Sequence, residues 1–180
     1  MAYSEDYIAA ATALCEAGRF IDSKGWVPAT SGNFSARLPD GTIAITTSGK
    51  HKGRLEIGDI MLIDANANPL DGKTPSAETL LHTSLYHLYP QCQAVLHPHP
   101  LNAVLMANLH PKTVTLANYE LLKAFPGINT HETKITLPVF ANDQNIPHLA
   151  RIVEHYLESH SNQCHAYLIA GHGLYTWGGS

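Results

Sequence analysis

Helix-like and strand-like stretches alternate along this chain, yet two neighbouring strands are joined by a turn too short to hold a helix. Phe34–Leu38 and Thr42–Thr46 flank Pro39-Asp40-Gly41, a hairpin signal. Strict strand–helix–strand alternation gives a parallel sheet, whereas a hairpin forces its strands antiparallel. The combination predicts an α/β fold, a three-layer α/β/α domain around a mostly antiparallel central sheet. Glu5–Lys24 carries Tyr7, Ala11, Leu14, Gly18 and Ile21 at helical spacing, with Ser4 placed to cap it and Gly25 to close it. Ser76 is placed to cap a helix over Ala77–Leu88 with the stripe Leu81, Leu85 and Leu88. A helix with Leu101, Val104 and Leu105 is expected after Pro100, and a short one near Tyr119–Lys123. Another follows Asn145, with Pro147 in its first turn and Leu149, Ile152, Val153 and Tyr156 inward. Further strands are expected over Ile60–Asp64, Ala94–His97, Thr136–Phe140, Cys164–Ala170 and Leu174–Trp177.

A chain of 180 residues, 44% of them apolar, has material for one domain over 1–180 with its own core. Eleven basic against fifteen acidic side chains leave a net charge of −4, with no basic excess for nucleic acid or an anionic membrane surface. No apolar run approaches the ~18–20 residues needed to span a bilayer. The N-terminus lacks a basic stretch leading into an apolar one, so no secretory signal is expected. Cys15, Cys92 and Cys164 are odd in number and far apart, which fits a reduced cytoplasmic setting rather than a disulfide framework.

Histidine is in excess, 12 of 180, and three of the histidines form a pattern. In Val95-Leu96-His97-Pro98-His99-Pro100 the two imidazoles stand at i and i+2 of an extended segment, on one face and about 7 Å apart along the chain. Side chains so placed can converge on one metal at Zn–N distances of about 2.0–2.1 Å. Taken alone, the segment reads equally as a turn with two exposed histidines. His172 strengthens the metal reading, because it sits between Gly171 and Gly173 at the end of an apolar strand, where glycine permits close approach. Three histidines would leave the fourth position open, as a catalytic zinc requires. Thr30-Ser31-Gly32-Asn33 and Thr47-Ser48-Gly49-Lys50 resemble anion cradles, with hydroxyls and backbone N–H groups beside glycine; each also reads as an ordinary turn. Lys50, His51, Lys52 and Arg54 add local positive charge suited to a small anionic substrate. Glu78 and Glu120 are the candidate proton-transfer groups, although Glu78 also suits a helix N-terminus and Glu120 an i, i+3 pair with Lys123.

The order PATSGNFS, TTSG, PSAE, LHPHP and GHG, running from about Ala9 to Trp177, resembles the class II aldolase family of zinc enzymes acting on small phosphorylated sugars. Asn118–Ala124, Thr130-His131-Glu132 and Tyr175–Gly178 look like the family's bacterial dehydratase branch. The resemblance implies a class II aldolase-like domain with one Zn2+ per subunit at His97, His99 and His172. It implies phosphate contacts from Ser31, Gly32, Asn33, Ser48, Gly49 and Ser76, with Ala77 standing where many aldolases have a second serine. In the aldolase branch the acid/base is the glutamate at the position of Glu78; in the dehydratase branch it is the one at Glu120. Glu120 is therefore the first candidate and Glu78 the second. The implied activity is a lyase that dehydrates a ketose 1-phosphate. The other readings are an aldolase or 4-epimerase on the same scaffold, or a metal-free adducin-like binding module. The resemblance also implies a homo-oligomer, a tetramer, with active sites near subunit boundaries. Relatives continue past Trp-Gly into a further helix, so the aromatic end of Leu174–Trp177 is expected to lie uncovered here.

Overall fold

The computed structural model describes residues 3–160 and 164–180. Helix α1 spans Glu5–Ser23, with the Ser4 hydroxyl accepting from the Tyr7 N–H at its start. Strands β1 (Asn33–Arg37), β2 (Ile43–Thr46) and β3 (Ile60–Ile63) follow, the first two joined at Pro39-Asp40-Gly41, where Gly41 takes a φ of +85°. Next come α2 (Thr79–Leu88), β4 (Ala94–His97), α3 (Leu101–Leu109) and β5 (Thr113–Ala117). A 3-10 turn over Glu120–Ala124 leads to β6 (Lys134–Phe140), α4 (Ile146–Ser159), β7 (Ala166–Ile169) and β8 (Gly173–Gly178).

Among the described residues the strands form one sheet in the order β3-β2-β1-β4-β8-β7-β6-β5. Every neighbouring pair is antiparallel except β6–β7, so the expected mixed but mostly antiparallel sheet is present. Strand alternation sends side chains to two cores. Ile43, Ile45, Val95, Tyr167 and Tyr175 meet Leu81 and Leu85 of α2 and Leu149 and Val153 of α4. On the opposite face Phe34, Ala44 and Ile60 meet Tyr7, Leu14 and Ile21 of α1, while Val139 and Leu168 meet Ala107 of α3. These are the three layers.

Several local expectations are corrected. Helix α2 begins at Thr79 rather than Ala77, because Ser76 accepts from the Glu78 N–H and makes a turn before the helix. Strand β5 was not anticipated: its five residues are mostly exposed and supply no apolar run. In α3 the outward residues are Leu101 and Leu105, and Ala107 is the buried one. Ile152 of α4 likewise points outward. Trp177 is half-buried, stacked on Tyr89 with ring centroids 5.2 Å apart. The open apolar surface is on the other side of β8, a groove of about 460 Å³ walled by Phe20, Trp26, Leu96, Phe125, Leu137 and Leu174. No helix among the described residues is long and apolar enough to cross a membrane.

Candidate active site and metal centre

The site stands at one end of the sheet's middle strands. His97 ends β4 and His99 follows Pro98, while His172 sits in the turn between β7 and β8. Gly173 makes their meeting possible: a Cβ there would lie 2.6 Å from the Pro98 carbonyl and 2.8 Å from the His99 ring. Gly171 takes a φ of +65°, which turns the chain back. The three imidazoles converge, His97 Nε2 lying 2.8 Å from His99 Nε2 and 3.4 Å from His172 Nε2. His97 is fully buried and stacks on Tyr175 at 4.0 Å; Tyr175 in turn stacks on Tyr167 at 4.8 Å. This column of rings fixes the ligand by core packing.

Glu78 closes the group. Its Oε2 lies 3.2 Å from His97 Nε2 and its Oε1 3.1 Å from His172 Nε2. Asn33 Nδ2 and the Tyr175 hydroxyl both donate to Oε2, at 2.8 and 3.1 Å. Burial raises the Glu78 carboxyl, but the contacts with His172, His97 and Asn33 lower it more and hold it far below the usual carboxylate range. His99 is kept neutral by burial and by the neighbouring imidazoles, its pKa pushed down to about 3. His97 Nδ1 donates to the Leu174 carbonyl at 2.8 Å, so in the neutral ring Nε2 carries a lone pair. Three imidazole nitrogens and a carboxylate thus converge at contact distance. Such a donor set is relieved by a cation placed among them, and nitrogen ligands with one carboxylate suit a divalent transition metal.

Beside the histidines lies a cavity of about 320 Å³. All six residues expected at a phosphate, Ser31, Gly32, Asn33, Ser48, Gly49 and Ser76, line it, together with Glu78, His99 and His172. Gly32 and Gly49 both take φ values of +74°. A Cβ at Gly32 would meet the His97 carbonyl at 2.7 Å, so the first loop is pressed against the metal-ligand strand. The second loop is joined to the Ser76 segment by the Ser48 N–H donating to the Thr74 carbonyl at 3.1 Å. Ser31 Oγ is buried with no hydrogen-bond partner. Lys52 lies in the wall, 1% exposed, its ammonium donating to the carbonyls of Thr30 at 2.8 Å and Lys50 at 2.5 Å. Among the described residues no carboxylate pairs with it, and burial pushes its pKa down to about 8. The sequence reading placed Lys52 among four loop charges; it is the one that lies under both cradle loops.

Glu120 is not brought to this group within the chain. It stands on the 3-10 turn with its side chain 71% exposed, paired with Lys123 at 2.5 Å and His131 at 3.4 Å. Leu122 is the residue this turn buries, which directs Glu120 outward. Two contributors carry no role at the site in the sequence reading: Tyr175, which enters it as strand and as part of the Tyr175–Gly178 motif, and His82, buried behind Asn33, which enters it within the helix after Ser76.

A match to the class II aldolase and adducin N-terminal domain covers residues 12–180, and the chain belongs to that family. It is 62% identical over 170 residues to the methylthioribulose-1-phosphate dehydratase of Methylococcus capsulatus, covering 94% of this chain and 83% of that one. It is 50% identical over 167 residues to the enzyme of the same name from Pseudomonas fluorescens, covering 92% and 80%. The solved structure of YgbL from Klebsiella pneumoniae superposes with a TM-score of 0.83 at 22% identity, covering 98% of this chain and 82% of that one, a likeness of fold.

Proposed function

We propose that this chain is a zinc-dependent hydro-lyase that dehydrates 5-methylthioribulose 1-phosphate to 2,3-diketo-5-methylthiopentyl 1-phosphate, a step of methionine salvage. The observation that carries the reading is the convergence of His97, His99 and His172 beside a hydroxyl- and glycine-lined cavity, in a chain 62% identical to a protein of that name. Zinc, one ion per subunit, would be held by the three histidines; when bound it supplies Lewis-acid polarisation of the substrate's ketone and hydroxyl oxygens.

The residues do the rest. Ser31, Ser48 and Ser76 offer hydroxyls, and Gly32 and Gly49 backbone N–H groups, to the phosphate of the substrate, with the Lys52 ammonium beneath. This fixes C3 and C4 of the sugar beside the histidines. Dehydration removes the C3 proton and then the C4 hydroxyl as water, and the resulting enol becomes the diketone. Glu78 is already engaged, its Oε2 accepting from Asn33 and the Tyr175 hydroxyl and its two oxygens lying against His97 and His172. Its place is to hold the centre and the substrate oxygens in position. The proton transfer belongs to Glu120, delivered by a neighbouring subunit of a homotetramer. The turn that carries Glu120 is suited to burial in such an assembly: Leu121 is 82% and Tyr119 58% exposed. Three buried free thiols suit a cytoplasmic, reducing setting.

Mass spectrometry of the product from 5-methylthioribulose 1-phosphate tests the reading. A single product lighter by one water is expected. Two fragments from C3–C4 cleavage would assign an aldolase, an unchanged mass with inverted C4 an epimerase, and no turnover with no bound metal a binding module.

A further inference from the structure

Along α2 and the turn before it, Glu78, His82 and Tyr86 stand four residues apart, on one helical face. Across from them Asn33 and Ser35 project from the same face of β1, two residues apart. The His82 ring bridges the two. It is 0% exposed, with Nδ1 2.8 Å from Ser35 Oγ and Nε2 in hydrogen-bond contact with Asn33 Oδ1. Ser35 Oγ lies 2.8 Å from the Tyr86 hydroxyl, and Asn33 Nδ2 donates to Glu78 Oε2 at 2.8 Å.

The proton positions along this chain follow from its end. The carboxylate can only accept, so the Asn33 amide turns its NH2 to Glu78 and its Oδ1 to His82. Nε2 of His82 therefore carries the proton and Nδ1 accepts from the Ser35 hydroxyl, whose oxygen in turn accepts from the Tyr86 hydroxyl. Every O–H and N–H points the same way, towards Glu78, and bonds aligned in series polarise one another. Burial agrees with a neutral ring, the His82 pKa being pushed down to about 3.

We propose that His82 is a positioning residue for the reaction, holding the Glu78 carboxylate against the histidine cluster by fixing the Asn33 amide. This rests on reading that cluster as the metal centre of the dehydratase.

The test uses the full chain, zinc-loaded for kinetics and Co2+-loaded for absorption spectra. The variants are His82→Leu, His82→Gln, Ser35→Ala and Asn33→Ala, with His82→Leu and Ser35→Ala repeated in the Asn33→Ala background. His82→Leu should lower kcat at least about 10-fold with KM moved less than about 3-fold, because the freed Asn33 amide no longer holds its charge-assisted bond to Glu78 in place. His82→Gln, whose amide can still donate to Asn33 Oδ1, should recover most of that loss. Ser35→Ala, which frees the ring to take the other tautomer, should lower kcat a few-fold. In the Asn33→Ala background neither second change should matter by more than about 2-fold, since coupled residues do not add. The Co2+ spectrum of His82→Leu should shift in the same direction as that of Asn33→Ala. If His82→Leu does not fold, the Gln and Ser35→Ala variants carry the same comparison. A wild-type kcat and spectrum in His82→Leu, losses that multiply in the Asn33→Ala background, or a folded His82→Gln no better than His82→Leu would each overturn the proposal. Wild-type protein that binds Co2+ but leaves the substrate unchanged would overturn the dehydratase reading instead, and the spectral comparison would then decide on His82 alone.

Discussion

Lys52 offers a perturbation whose effects on stability and on binding should separate. Its ammonium is buried with two neutral carbonyls and no counter-charge, and its pKa of about 8 lies below the unfolded value of about 10.4. The charged form is therefore disfavoured on folding. At neutral pH this subtracts about 2 kcal/mol, allowing for screening through the cavity mouth, and the penalty fades as pH rises from 8 towards 10.4. Lys52→Met removes the penalty but leaves the Thr30 and Lys50 carbonyls without a donor, at a cost of about 1–3 kcal/mol. The two nearly cancel, so urea denaturation at pH 7 should place the variant within about 1 kcal/mol of wild type. Binding has no such compensation. A lost charge-assisted bond to a phosphate dianion is worth about 1.5–3 kcal/mol, or roughly 10- to 100-fold in affinity. Calorimetry with inorganic phosphate, and KM for the sugar phosphate, should both show that loss, with kcat changed far less. A variant destabilised by several kcal/mol that binds phosphate as wild type does would refute the reasoning and make Lys52 a structural strut.

His97→Ala, His99→Ala and His172→Ala should each lower zinc content, measured by atomic emission, and abolish turnover; full stoichiometric zinc in the triple variant would sink the ligand assignment. Glu120→Gln should keep zinc and fold while losing about 10²–10⁴ in kcat, the usual worth of a general acid/base. Mixing inactive Glu120→Gln with inactive His97→Ala protein under subunit exchange should restore part of the activity, because some hybrid interfaces pair an intact metal site with an intact Glu120. No recovery in verified hybrids would place the proton transfer within one chain and favour Glu78. For His82 the folded pKa of about 3 lies below the unfolded value of about 6.5, so its stabilisation is present above pH 6.5 and lost as pH falls towards 3. Metal-free wild type should lose about 2 kcal/mol more than His82→Gln between pH 7.5 and 5 in urea melts; parallel losses would contradict this.

The histidine cluster was legible because each signal is local. An i, i+2 pair on a strand and a histidine between glycines carry their geometry in the chain itself, and strands β4 and β8 need only pair to bring them together. The cradle loops were legible for the same reason. Lys52 was not, since nothing nearby distinguishes it from Lys50 or Arg54. Its burial comes from α1, where Gly18 lets the helix press on residue 52; a Cβ at Gly18 would clash with the Lys52 carbonyl. His82 follows Glu78 by one helical turn and lies next to the buried stripe of Leu81 and Leu85, which was the available clue. Helix α3 misled because it is apolar nearly all round, which leaves no stripe to read. Glu120 shows the other limit: its only contacts in the described residues are the surface pairs with Lys123 and His131, and neither its sequence nor its place in one chain ties it to the histidine cluster.

The order in which the ligands appear has a consequence for how the enzyme is made. Strand β4 is flanked by β1 on one side and by β8 on the other, so its second edge stays open until β8 has left the ribosome. His97 and His172 are 75 residues apart, roughly 4–15 s of synthesis at ordinary elongation rates. Throughout that interval the nascent chain holds two imidazoles, an unpaired strand edge and no third ligand, so a metal ion can be gripped only loosely. Firm capture comes when the β7–β8 turn seats His172 and β8 pairs along β4. Bound metal would then mark a chain translated through β8, and a product released from a ribosome stalled before that point would lack His172.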